Sequence, residues 1–201
     1  MTLTATQVEQ LLRPIHRNRV LRDAKGHAHV SQQDILAHLI RVFGFCNFDF
    51  DVLKAEMVFE DSYKKQKKDK DGQPYGDPFT AWDVCYRALV RLTVRDPDGN
   101  ELCHYEDGST ATAQGQPSRG DAHDLAYKAS ISLSKKRAAI ALGDQFGLSL
   151  YNKGQMSALV MGTRVMPQSE ASDGSSDLQD GVQEQVAMGN DEIDHDMGDV
   201  A

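Results

Sequence analysis

The period of the hydrophobic positions changes along this chain, and each change marks a different kind of element. Near the N-terminus Val8, Leu11, Leu12 and Ile15 recur at helical intervals behind Thr6-Gln-Val-Glu9, which has the spacing of a capping box, and Pro14 closes the turn. A second amphipathic helix follows, with Ser31 as N-cap, Ile35, Leu36, Leu39, Ile40 and Phe43 as its apolar stripe, and Gly44 as its stop. The period then falls to two. Phe48, Phe50 and Val52 alternate with Asp49 and Asp51, and Leu53, Ala55, Met57 and Phe59 alternate with Lys54, Glu56 and Glu60. Trp82, Val84, Tyr86, Ala88, Val90, Leu92 and Val94 form one face of a long strand whose other face carries Arg87, Arg91 and Arg95. Asp96-Pro-Asp-Gly99 reads as a turn, Glu101–Glu106 as a returning strand, Lys64–Pro78 as a long turn, and residues 108–120 as a loop leading into a long Ala-rich helix. These elements predict an α+β fold: an antiparallel sheet of three or four strands packed against the long helix, preceded by N-terminal helices. No internal repeat is visible.

Composition adds a boundary near the C-terminus. The 201-residue chain is 40% hydrophobic and 26% charged, which fits one domain with a real core plus an appendage. Its net charge of −8 is unevenly spread. Ten of the 30 acids lie from Gln168 onward, where no Lys or Arg occurs, leaving 20 acids against 22 basic residues before it. The body is therefore near +2 and the tail −10. Residues 168–201, rich in Ser, Gly, Gln and Asp and poor in large apolar side chains, are expected to be a disordered acidic tail behind a 1–167 domain.

Several function classes fall away on residue patterns. No stretch is long and apolar enough to span a bilayer, and MTLTATQVEQ lacks the basic-then-apolar order of a secretory signal, so an intracellular protein without a membrane partner is expected. Cys46, Cys85 and Cys103 are odd in number and widely spaced, which predicts reduced, buried thiols. The phosphate-binding pattern G-x-x-x-x-G-K-[ST] is missing, which argues against an ATP-driven recombinase. The cysteines and seven histidines show no zinc spacing; His27-Ala-His29, in an expected loop, reads as chance rather than as a ligand pair. His123-Asp124 is the one pair suited to a metal-dependent phosphohydrolase, but that chemistry needs further ligands on an all-helical scaffold. No catalytic residue, metal or cofactor is expected.

The basic residues offer a binding function instead. Lys128 and Lys135 lie two turns apart on one face of the long helix, Lys136 is about 80° round from them, and Arg137 falls almost opposite Lys128, so a straight helix does not aim all four at one ligand. Arg87, Arg91 and Arg95 share one side of a strand at roughly 13 Å per step. Both groups are compatible with a solvated face or with phosphate binding. The run from Lys64 to Lys70 is the densest positive spot on the body, suited to a solubilising turn or to a second, duplex-contacting surface.

One stretch narrows the choice. Lys136-Arg137-Ala138, Leu142-Gly143, Gly147 and Leu150-Tyr151-Asn152-Lys153 resemble, without a gap, the signature helix of the Rad52/Rad22 family of single-strand annealing proteins. Phe43-Gly44-Phe45 followed by Asn47-Phe48-Asp49-Phe50, and Leu89-Val90-Arg91-Leu92 with Asp98-Gly99, are similar to further family patterns, so the resemblance covers roughly residues 8–153. It departs at Ile140, where the family has an arginine, and at Gln114–Arg119, which lacks the family's Gly-rich signature. The resemblance implies ATP-independent binding of single-stranded DNA and annealing of complementary strands in homologous recombination and double-strand-break repair. It implies that Lys128, Lys136 and Arg137 line a groove for the strand, that Lys153 belongs to an outer site, and that subunits assemble into a homo-oligomeric ring whose neighbours share the strand. Its compact size suggests a phage or bacterial member acting in the bacterial cytoplasm, or the nucleus for a eukaryotic one. The acidic tail would then contact a single-strand binding protein or a recombinase, and a protein adaptor acting through that tail is the competing reading.

Overall fold

A computed structural model describes residues 3–165. The expected tail at 168–201 lies outside the described residues. The elements run α1 (Ala5–Leu12), β1 (Val20–Arg22), β2 (Ala28–Val30), α2 (Gln32–Phe43), β3 (Phe48–Lys68), β4 (Pro74–Arg95), β5 (Glu101–Gln116) and α3 (Arg119–Ile140), followed by short 3-10 turns at Asp144–Phe146 and Leu148–Tyr151. The fold is α+β, as the periodicities predict. Strands β3, β4 and β5 form an antiparallel sheet in sequence order, and β1 and β2 form a separate two-stranded hairpin.

Helix ends are set by side-chain caps. Ser31 Oγ accepts from Asp34 N at 3.1 Å, and Gly44 takes the position after α2 with φ 91°. In α1 the capping box is two residues earlier than the sequence suggests: Thr4 accepts from Gln7 N, and the Gln7 side chain accepts from Thr4 N. Gln outperforms Glu9 here because its amide also donates to Val42 O at 3.1 Å, tying α1 to α2.

Among the described residues all three antiparallel hairpins turn on the same five-residue device, Asp-x-x-Gly-x. At Asp23, Asp69 and Asp96 the carboxylate Oδ1 accepts the backbone N–H groups two and four residues on, at 2.7–3.0 Å. In each, the glycine donates back to the Asp carbonyl at 3.0–3.1 Å with φ between 80° and 88°. A left-handed residue is required there, and glycine adopts it without a Cβ clash.

Three expectations about loops are corrected. Residues 108–116 are strand, because β5 continues its pairing with β4 as far as Trp82↔Gln116. Small and β-branched residues fill this stretch, and its partner is a strand long enough to hold it. Lys64–Pro78 is also mostly strand: β3 and β4 stay paired to Lys68↔Pro74, so the turn is Asp69–Gln73 at the tip of a long arm. His27-Ala-His29 belongs to the β1–β2 hairpin rather than to a loop. Cys46 is exposed, against the expectation of buried thiols, while Cys85 is buried and Cys103 half-buried.

Helix α3 covers β4 and β5. Its buried residues Ala122, Ala126, Ser130, Ser134 and Ala138 recur every four positions, forming a slanted ridge of small side chains that lets the helix approach the sheet closely. Ser134 Oγ is shared between Ala88 O at 3.0 Å and Ser130 O at 2.8 Å, which satisfies a fully buried hydroxyl. The main core lies beyond this contact, where Ile35, Leu39, Phe43, Leu92, Val94 and Phe146 from α2, β4 and the first 3-10 turn pack together. Gly108, on β5 beneath the helix ridge, has no room for a side chain: a Cβ there would lie 2.8 Å from Ala88 O. Gly108→Val is therefore expected to push β5 from β4 and lower unfolding stability by about 1–3 kcal/mol, read from urea midpoints, whereas the same change at open Gly162 is expected to leave them in place.

Candidate nucleic-acid interface

The sequence-predicted cations divide into those a carboxylate already holds and those that are free of one. Arg87 pairs with Glu56 across the β3–β4 register, Arg95 with Asp49, and Arg91 donates from Nε to Glu106 on β5 at 2.8 Å. The Glu106 bond raises the Arg91 pKa, and the hydrogen bonds from Lys54 and then Arg87 lower that of Glu56. The strand arginines thus sit in a lattice of cross-strand ion pairs on the sheet face away from the core, where each has a carboxylate neighbour that phosphate would have to displace. Asp49, one of the polar positions of the β3 alternation, is one of these partners.

On α3 the four basic residues meet four different surroundings, although the helix angle sets Lys128 and Lys135 on one face. Lys128 Nζ bonds Asp124 Oδ2 at 2.6 Å on the exposed side. Lys135 Nζ lies 5.4 Å from the centre of the Phe50 ring, a cation–π contact with β3. Arg137 Nε bonds Asp107 Oδ1 on β5 at 3.1 Å and lines a depression of about 510 Å³ together with Lys54, Arg87, Ser109 and Thr110. Lys136 turns instead into a cleft of about 290 Å³ between the β1–β2 hairpin and the end of α3, walled by Val30, Ile35, Ile140, Phe146 and Leu150.

Lys136 is the most distinctive of them. Among the described residues it has no carboxylate partner, and burial alone pushes its pKa below the usual lysine value. A half-buried ammonium with apolar walls and no counter-ion is a site prepared for an incoming anion. Tyr151, 66% exposed, stands at the mouth of the same cleft with a ring available for base stacking. Lys153 follows at φ 53°, exposed and likewise without a side-chain partner among the described residues.

The cleft is held by contacts that sequence reasoning did not find. Arg19 donates to Asp34 at 2.8–2.9 Å and to the side chain and backbone of Gln145 at 2.7–2.8 Å. Gln145 Nε2 donates in turn to Arg13 O and Pro14 O at 2.7 and 2.8 Å. This network locks the hairpin stem, the start of α2 and the first 3-10 turn around the cleft. Asp144 is fully buried and accepts from Leu159 N and Val160 N, fixing the segment around those two residues. No local signal marks these partners, because Arg19 and Gln145 are 126 residues apart. His29 and Lys54, which line the two depressions, were also missed as site residues.

His123-Asp124 does not form a shared ligand pair. His123 bridges Tyr86 Oη at 3.1 Å and Glu60 Oε2 at 2.7 Å, while Asp124 holds Lys128. Arg119 also pairs with Glu60 and lies 5.4 Å over the Trp82 ring, so this cluster fastens the start of α3 to the hairpin arm. Among the described residues no group of three or more His, Cys, Asp or Glu could hold a metal ion, and no helix is long and apolar enough to cross a membrane.

Compared with known protein families, the chain matches the model described as Rad52/22 family double-strand break repair protein over residues 3–164. A search of curated proteins finds no match.

The Lys136 environment gives a pH signature with a defined sign. Its folded pKa is lowered, so between that value and the ordinary one near 10.5 the unfolded chain holds the proton that the folded protein has lost. Stability should therefore rise with pH through that alkaline window. Lys136→Met is expected to remove this rise; parallel urea titrations of both proteins near neutral and alkaline pH measure the difference.

Proposed function

The chain belongs to the Rad52/22 family of double-strand break repair proteins, and on that premise we propose that it binds single-stranded DNA along the Lys136 cleft and anneals complementary strands without ATP. The observation that carries the proposal is the desolvated Lys136, without a carboxylate partner among the described residues, beside Tyr151 at the end of a helix whose next residue, Arg137, opens into a second cationic depression. Consecutive residues on opposite flanks of one helix suit a strand that passes over the helix end, with phosphates meeting Lys136 and Arg137 in turn. Lys153 and Lys128 extend the same positive track, and the strand arginines Arg87, Arg91 and Arg95 contribute once their carboxylates are displaced. Annealing then needs no covalent step: cations neutralise the backbone and hold the strand extended while its bases remain available for pairing. The lysines from Lys64 to Lys70 at the tip of the β3–β4 arm would supply a second, duplex-contacting surface.

Self-assembly completes the proposal. Strand β3 is an edge strand 21 residues long that exposes Val52, Leu53, Met57, Val58, Phe59 and Tyr63. Long apolar edges of this kind are normally covered, and β5 offers a second outer edge on the other side of the sheet. Two different edges on one subunit favour a head-to-tail contact, which closes into a ring and sets many weak strand sites side by side. The acidic tail is proposed to serve a protein partner such as a single-strand binding protein or a recombinase, within the cell.

A strand-annealing assay with purified protein, lacking ATP and metal, tests the central claim, and acceleration over the protein-free rate is the expected result. Lys136→Ala with Arg137→Ala should abolish that acceleration while preserving the fold, and should flatten the log–log salt dependence of binding by about 0.7 for each lost phosphate contact. Wild-type annealing by the double variant would refute the site.

The assembly claim is tested separately by light scattering. The wild-type protein is expected to be a large oligomer at micromolar concentration, and Met57→Glu with Val58→Lys on the β3 edge to yield smaller species. A wild-type monomer would remove the ring.

A further inference from the structure

The tip of the β3–β4 arm carries the densest run of positive charge in the chain. Residues 64–70 hold five lysines against one aspartate, and all six are exposed. That aspartate, Asp69, is committed to the turn, its Oδ1 accepting from Asp71 N at 3.0 Å and from Gln73 N at 2.7 Å. Lys64 Nζ donates to the neutral Thr80 hydroxyl at 3.1 Å, and none of the five lysines has an ion pair among the described residues. By contrast Arg87, Arg91, Arg95, Lys128 and Arg137 each meet a carboxylate within the fold. We propose that the tip is the docking surface for the chain's own acidic segment, residues 168–201, engaged through the acids of residues 191–199.

Charge complementarity and reach both select this pairing. Residues 168–201 carry ten Asp and Glu and neither Lys nor Arg, so their carboxylates have no cation of their own segment to pair with. Asp191, Glu192, Asp194, Asp196 and Asp199 crowd five acids into nine residues, which matches five lysines in seven. A single exposed ion pair is weak, but several made together by a tethered segment reinforce one another. Adjacent side chains of a strand project from opposite faces, so the lysine pairs at 64–65 and 67–68 make the tip positive on both sides. Asp144 grips Leu159 and Val160, and its neighbour Phe146 belongs to the core against which Phe48, the first residue of β3, packs. Residues 159 and 160 are therefore held near the base of the arm. At about 3.4 Å per residue, the strand from Phe48 to Lys68 places the tip about 70 Å from that base. An extended chain leaving Val160 covers that distance in about twenty residues, so the part beyond about residue 180 arrives at the lysines. Docked acids would have to be displaced by nucleic acid, a consequence that rests on the tip being a duplex-contacting surface; the docking itself does not.

Zero-length carbodiimide coupling of the full wild-type chain, read by mass spectrometry, tests the docking without DNA, because it joins an amine to a carboxylate only where they touch. The tip holds five of the chain's 11 lysines, so indiscriminate coupling would place under half of the links from residues 168–201 there. A clear majority at the tip is expected, made by the acids of residues 191–199 and lost at about 1 M salt, where the screening length falls to about 3 Å. A tip share of five in 11 or less, or links to the tip from residues 168–184 alone, would overturn the assignment. Full-length protein with Asp191→Asn, Glu192→Gln, Asp194→Asn, Asp196→Asn and Asp199→Asn should also bind a labelled DNA duplex roughly tenfold more tightly at about 0.1 M salt. That gain should vanish when Lys64, Lys65, Lys67, Lys68 and Lys70 are changed to Gln as well; an equal gain on that background would place the acids elsewhere and sink the docking. Failure of the duplex reading looks different: the links stay at the tip while neither set of changes moves duplex affinity.

Discussion

The architecture depends on how closely α3 can lie on the sheet. Five small residues from Ala122 to Ala138 form its contact ridge, and Ser134 reaches the Ala88 carbonyl, so the helix settles onto β4 and β5 with little intervening side chain. Gly108 keeps the sheet beneath equally thin. Close seating fixes the rotation of the helix about its axis, and that rotation assigns every remaining side chain. With Ala138 and Ala139 buried, Lys136 is delivered to the hairpin side and Arg137 to the β5 side. A bulkier ridge would lift the helix and turn both cations away from their depressions.

Charge pairing then decides which basic residues can act at low cost. The exposed arginines on the sheet are bound in cross-strand ion pairs with Glu56, Asp49 and Glu106. Such exposed pairs are individually weak, so a polyanion can exchange them, but each exchange leaves a carboxylate near phosphate. Lys136 carries no such burden among the described residues. Its desolvation is a penalty that, on the proposed reading, a bound phosphate would relieve. The Arg19–Asp34–Gln145 network supplies the rigidity that keeps this penalty from being relaxed by movement of the hairpin.

The long arm and the open sheet edges point outward from this centre. Helix α3 covers β4 and β5 but hardly touches β3, leaving a strand with apolar residues on a free edge. The His123–Glu60–Arg119 cluster fastens the base of the arm to α3, and hydrogen bonding from Arg119 and then His123 holds the Glu60 carboxyl below its usual pKa. The Lys136 cleft, the basic tip and the exposed β3 edge therefore occupy separate parts of the fold.

Much of this was legible in the sequence where the causes are local. The alternation from Trp82 to Val94 gave the buried strand face, Ser31 and Gly44 gave the limits of α2, and Asp96-Pro-Asp-Gly99 gave a turn, because strand pleat, caps and left-handed glycine act within a few residues. The angular dispersal of Lys128, Lys136 and Arg137 followed from helix geometry alone, and the match of residues 136–153 to the family signature pointed to the right family. Tertiary structure decided the rest. Residues 108–116 are strand because β4 offers them a partner, and Lys64–Pro78 pairs because β3 and β4 continue past the core; neither partner is visible locally. The α3 ridge escaped notice because Ala and Ser carry little hydropathy contrast. Which cation is paired and which is buried depends on strand register and on contacts more than a hundred residues apart. His29, read from sequence as chance, lines the cleft because hairpin and helix meet there, and only the folded chain brings them together.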